Sequence, residues 1–313
     1  MMAKKIAQRW MGASPIAGLL LLSLLWALST LRADLLANLI RGQMPLFERV
    51  TVSFAMLTAV AGSLAVALRV RWPRGRQFWA AVFTGLFLFV VPAGLASVAG
   101  RSVNGYARTA LLTLTPMFVI VFEPYIGGDS GTENRGSLLA ALGVVAGAWC
   151  VFPVGVPETI EAGWGFGALM AAAACVAAAN CLAVLEAKRQ EKSTASMAAI
   201  AGATAALAFA SVSACTERSV WQWDALAPEL LWSAAVELPA LLLLFWLMRR
   251  MSALRMATRY VISPLMAILI GALLTRSALA PRTWLGLLLM AAGSAYLLFA
   301  QKSDTELGGL MLR

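Results

Sequence analysis

Apolar residues along this chain come in long blocks, separated by short polar stretches. The blocks run approximately 15–36, 47–68, 78–100, 106–126, 137–155, 163–185, 195–215, 229–248, 256–275 and 283–300. Each is close to the ~20 residues that a helix needs to cross roughly 30 Å of hydrocarbon at 1.5 Å per residue. The pattern predicts an all-α membrane protein of about ten transmembrane helices, here segments 1 to 10. The longest polar connections lie near Gly127–Gly136, Glu186–Thr194 and Thr216–Pro228, and no soluble domain interrupts the spans. Segment 1 is too long for a signal-peptide core and lacks a small-residue cleavage site, so it reads as a retained helix.

Composition agrees. Of 313 residues, 61% are hydrophobic and 13% charged, with a mean hydropathy of +0.80. Soluble domains run at about 45–50% apolar and about 25% charged. A soluble fold of this size has no interior large enough for so much apolar surface, whereas a bilayer accepts it as solvent.

The net charge of +10 raises the question of nucleic acid. The placement of the charges answers it, because the basic residues sit in short clusters between spans, as the positive-inside rule expects. With the N-terminus inside, the inner loops and ends carry 17 Lys and Arg and the outer loops 7, with Arg32 inside segment 1. Both termini are therefore expected in the cytoplasm, in a multi-pass protein of the cell (plasma) membrane.

The chain has no histidine. That removes the usual general base, the commonest metal ligand and the switch near neutral pH. Any proton coupling must then use carboxylates. Cys150, Cys175, Cys181 and Cys215 all lie in apolar segments, without CxxC or zinc spacing, and read as small core residues. Neither a metal nor another cofactor is expected. No GxSxG, HExxH or Walker motif occurs, so the chain is not expected to be an enzyme, and ATP-driven transport would need a partner chain.

Landmarks recur at an offset near 148. Pro92 pairs with Pro239, Pro116 with Pro264, Gly136 and Gly143 with Gly286 and Gly293, and Gly18 with Gly167. The stretches LTLTPMFVIVFEPYIG and YVISPLMAILIGALLT are also alike. Two five-helix halves follow, residues 1–156 and 157–300, with a short tail at 301–313. Because five is odd, the second half enters the membrane from the opposite side. Such inverted repeats are a recurrent transporter architecture, with the substrate site near midplane between the halves. Each proline removes a backbone donor and frees a carbonyl one turn earlier. In lipid that group must find a protein or water partner, so Pro92, Pro116, Pro239 and Pro264 are expected to kink helices around a cavity.

The LLLLSLLWALS of segment 1, the FERVTVSFAML opening segment 2, and Pro-centred segments 4 and 9 followed by Gly-punctuated helices carry a resemblance. The chain resembles EamA-type members of the drug/metabolite transporter superfamily, from Gly18 to Phe299. The resemblance implies a cavity lined by segments 1, 3, 4, 6, 8 and 9, and secondary transport, often export of amino acids or other metabolites. One departure stands out. Where such repeats often close segments 4 and 9 with Gly-Glu, this chain has Gly128-Asp129 and Arg276-Ser277.

Ionisable groups at membrane depth are costly and point to function. Glu237 lies near the middle of segment 8, two residues before Pro239. It reads as a cavity carboxylate that binds a cationic group or carries a proton, or as a structural acid paired to another helix. Trp26, Asn180 and Tyr260 are further cavity candidates, with packing, interhelical bonding and interfacial anchoring as their respective plain readings. Arg32, Asp34 and Glu123 are gate candidates, or interfacial charges at helix ends. Arg259 reads as inner-side basic charge. The expected function is a secondary transporter, an exporter of a small metabolite such as an amino acid working by alternating access. A lipid or amphiphile translocator and a non-transporting receptor or assembly subunit are the alternatives. The expected partners are a small-molecule substrate, the lipid bilayer and a coupling proton, with monomer and homodimer both open.

Overall fold

The computed structural model describes residues 14–36, 44–100, 102–127, 135–152, 154–155, 157–189, 194–217, 223–276 and 278–299. The tail at 301–313 and the Gly128-Asp129 pair lie outside these. Among the described residues every regular element is a helix. They are α1 (Pro15–Leu36), α2 (Leu46–Ala67), α3 (Arg76–Ala99), α4 (Gly105–Leu112 and Thr115–Gly127) and α5 (Arg135–Val151). They continue as α6 (Ile160–Arg189), α7 (Ala195–Thr216), α8 (Trp223–Trp232 through to Leu238–Met248), α9 (Ala253–Ala257 and Arg259–Thr275) and α10 (Pro281–Phe299). Nine are long and apolar enough to cross a bilayer, and α5 is a shorter apolar helix of 17 residues. Large apolar side chains such as Leu139, Leu207, Leu273 and Leu288 lie exposed on the surface. Lipid accommodates what water would not, and the chain is a multi-pass, all-helical membrane protein.

The helix ends differ from the hydropathy blocks for local reasons. α5 stops at Val151, short of 155, because Pro153 bars the residue before it from helical backbone. α6 starts earlier, at Ile160, because the Thr159 hydroxyl accepts from the Ala162 N–H at 3.1 Å. α9 starts at Ala253, where the Ser252 hydroxyl accepts from the Arg255 N–H.

Three irregularities match across the halves. α3 widens into a π turn at Leu86–Val90 and α8 at Ser233–Glu237, both an offset of 147 apart and both immediately ahead of Pro92 and Pro239. Each closes with a bond to the carbonyl five residues back, Val91 N–H to Leu86 O and Leu238 N–H to Ser233 O. α4 begins at an Asn104 cap and α9 at a Ser252 cap, an offset of 148. α4 breaks at Thr113 and α9 at Thr258, each with its hydroxyl bonded to a carbonyl three residues back, Ala110 O and Arg255 O, at 2.6 Å. The carbonyl freed by Pro116 is that of Leu112, and the Thr115 hydroxyl satisfies it at 2.7 Å.

Packing follows the same exchange. α2 packs on α7 and α5 on α10, α3 on α6 as α8 on α1, and α4 on α6 as α9 on α1. The α5–α10 contact is backbone on backbone. A Cβ on Gly147 would meet Gly286 O at 2.7 Å, and one on Gly286 would meet Gly147 O at 2.6 Å. Only glycine permits that approach. The main core gathers α1, α2, α6, α7 and α8 around small α6 side chains, among them Ala177, Ala183 and Ala187.

Candidate functional site

α1 carries Ser23, Trp26, Ser29 and Arg32 at every third position. Three residues rise about 4.5 Å and turn about 60° short of a full circle, so these four form a slanting stripe on one side. Each position on the stripe meets a group on α8 or α9. Ser263 Oγ donates to the Ser23 carbonyl at 2.8 Å. The Trp26 ring lies 5.1 Å from the Arg259 guanidinium and 6.2 Å from the Tyr260 ring. Ser29 Oγ donates to Glu237 Oε1 at 3.2 Å. Arg32 forks onto Glu229 at 3.2 and 2.7 Å and stacks on Trp232 at 4.7 Å. A polar seam thus runs where the first helix meets the eighth and ninth.

Glu237 ends the π turn of α8 that Ser233 begins. Its Oε2 accepts from Ser53 of α2 and, at 3.4 Å, from Ser233, and these two hydroxyls lie 2.8 Å apart. Three serines from three helices therefore cage one half-buried carboxyl group. A hydroxyl rotates freely and both donates and accepts. The same cage can hold the carboxylate as acceptor and the carboxylic acid as donor.

Farther along the seam, Arg259 is fully buried. Its Nη1 donates to Asn180 Oδ1 of α6 at 3.4 Å and its Nη2 to the Tyr260 hydroxyl at 3.0 Å. Asn180 in turn donates to the Ala253 carbonyl at 2.8 Å, tying α6 to the start of α9. The guanidinium also sits 4.7 Å over the Tyr260 ring. Among the described residues no carboxylate pairs with Arg259.

The seam unites Trp26, Tyr260, Asn180, Glu237 and Arg32 of the residues expected from sequence. Glu123 is half-buried on α4, within electrostatic reach of Cys181 on α6. Asp34 falls on α1, but its side chain lies outside the described residues. Pro92 and Pro116 are buried, Pro264 is half-buried and Pro239 is exposed. At another helix end, Glu186 of α6 is buried and pairs with Arg189 at 3.0 Å and with the exposed Arg76 of α3 at 3.8 Å.

Sequence reasoning missed four partners. Glu229, Ser29, Ser53 and Ser233 are not among its candidates. Arg259 was assigned to the inner surface, whereas it is the largest of the fully buried side chains. The available signal was the every-third spacing of polar and aromatic residues in SLLWALSTLR.

No family model matches the chain, and no curated protein sequence matches it. A solved structure described only as "Crystal structure of protein" is similar over 92% of this chain and 99% of its own, with a TM-score of 0.73 and 20% identity. At that identity the likeness speaks for the fold alone.

Proposed function

We propose that the chain is a secondary transporter that exports a small metabolite, such as an amino acid, across the cytoplasmic membrane by alternating access. The observation that carries this reading is the seam itself. Charged groups cost about 2.5–3.5 kcal/mol each at mid-membrane on insertion scales. Here a carboxyl caged by Ser29, Ser53 and Ser233, a buried guanidinium, and the Arg32–Glu229 clamp lie where α1 meets α8 and α9. A bundle serving only as an anchor has no use for such groups.

The matched π turns, the matched caps and the packing pairs that exchange α1 to α5 with α6 to α10 support two inverted five-helix repeats. Two similar halves inserted in opposite senses give inward-open and outward-open states of similar energy. In this reading Glu237 exchanges a proton for substrate, and the Arg32–Glu229 pair closes one end. The test is uptake into proteoliposomes of a labelled amino acid panel under an imposed pH gradient. Gradient-driven uptake of at least one member, absent from empty vesicles, is expected. No uptake of any member by protein that elutes as a folded species counts against the reading.

A further inference from the structure

We infer that Arg259 is the anion-binding element of the substrate site and that the solute it recognises carries a carboxylate. The inference rests on the transporter reading and names the substrate class for it. A guanidinium offers five N–H donors. Two are taken, by Asn180 Oδ1 and by the Tyr260 hydroxyl, which leaves three, among them a buried Nε without any partner. Arg259 lies six residues into the span Ala253–Thr275, about 9 Å from its start at 1.5 Å per residue. With no surface exposed, it does not snorkel to the headgroups.

Among the described residues nothing charged neutralises it. No ion pair to Arg259 occurs among the described residues, and both of its hydrogen-bond acceptors are neutral. The rings of Trp26 and Tyr260 stabilise the cation from two sides but accept none of its remaining protons. A buried charge normally has a counter-charge. The planar fork of donors left free matches a carboxylate in two-point contact.

Asn180 fixes the fork, since its amide is held at the Ala253 carbonyl on the other side. Both rings over the guanidinium are only half-buried. Trp26 and Ser29 lie one helical turn apart on α1, which places the Arg259 and Glu237 sites on one seam. A zwitterion would present its carboxylate to the first and its ammonium to the second.

The test is a thermal-shift comparison on the detergent-purified full chain. The probes are the twenty amino acids, their carboxamides, simple monocarboxylates, phosphate and chloride. A ligand of the folded state raises the melting temperature by mass action. At least one amino acid is expected to raise it, with its carboxamide and chloride inert. Arg259→Gln is expected to abolish that shift. Arg259→Lys, which keeps the charge and the fold but not the fork, is expected to weaken apparent affinity tenfold or more. Phosphate acting as well as the best carboxylate overturns the carboxylate assignment. A carboxylate shift that persists at full size in Arg259→Gln or Arg259→Lys overturns the role of Arg259, and so does the absence of any carboxylate shift. Carboxamides that bind the parent and lose binding in Glu237→Gln would sink this inference while leaving the transporter reading standing.

Discussion

At the scale of single residues, Glu237 and Glu229 are two acids on one helix with different settings. Glu229 is locked by a bidentate arginine, whereas the partners of Glu237 among the described residues are neutral hydroxyls. The first is charge-paired, and the second is the acid to which the proposed coupling assigns the proton. Glu237→Gln keeps size and hydrogen bonding but cannot release a proton. It is expected to fold and to lose at least about tenfold of pH-driven flux, equivalent to ~1.4 kcal/mol, as read in proteoliposomes. Full flux in that variant removes the coupling role. Arg32→Ala leaves Glu229 buried without its cation, and breaking a buried pair costs about 3–5 kcal/mol. A marked drop in melting temperature is expected, with most of it recovered on adding Glu229→Gln. If the single variant melts like the parent, the pair is no clamp.

At the scale of elements, the helices are shaped by where they cannot be regular. The π turns ahead of Pro92 and Pro239 absorb the missing donors, and in α8 the widened turn also brackets the Ser233 and Glu237 pair. The α5–α10 contact depends on absent side chains. Gly147→Val pushes carbon into the Gly286 carbonyl, and overpacking of this kind costs about 1–3 kcal/mol. At Gly143, on the same helix, an added Cβ meets nothing within 4 Å, so Gly143→Val serves as the matched control. The expected result is a lowered melting temperature for the first and parental melting for the second. Equal melting of the two would mean that α5 and α10 do not rely on this notch.

At the scale of the whole molecule, orientation has a built-in reporter. Cys215 is exposed near the end of α7, beside Glu217, whereas Cys181 is buried. Glu217 itself accepts from the Phe47 and Glu48 N–H groups at the start of α2, which ties these two helix ends together. With the N-terminus in the cytoplasm, α7 ends on the outer side. A membrane-impermeant maleimide should label Cys215 in intact cells, in a variant lacking the other three cysteines. Labelling only after permeabilisation would reverse the topology.

The sequence by itself determined the class of the molecule and the position of its spans. Lipid contact is a demand on each residue in turn, so it is written locally, in runs of apolar residues of bilayer length. Proline and glycine offsets likewise marked the places where the helices widen or approach closely, because those residues act on their own backbone. Helix ends moved by a few residues, at Thr159, Ser252 and Pro153, where one cap or one ring decides. Partnership was beyond the sequence. Ser29 and Glu237 are 208 residues apart, and Arg32 and Glu229 are 197 apart, so nothing along the chain declares that they meet. Arg259 shows the reason most plainly. A charge near a helix start reads as surface charge in any local view, and only the packing of α1 and α6 around it makes it a buried cation. Burial belongs to the neighbours a residue acquires, and those are fixed by the tertiary structure.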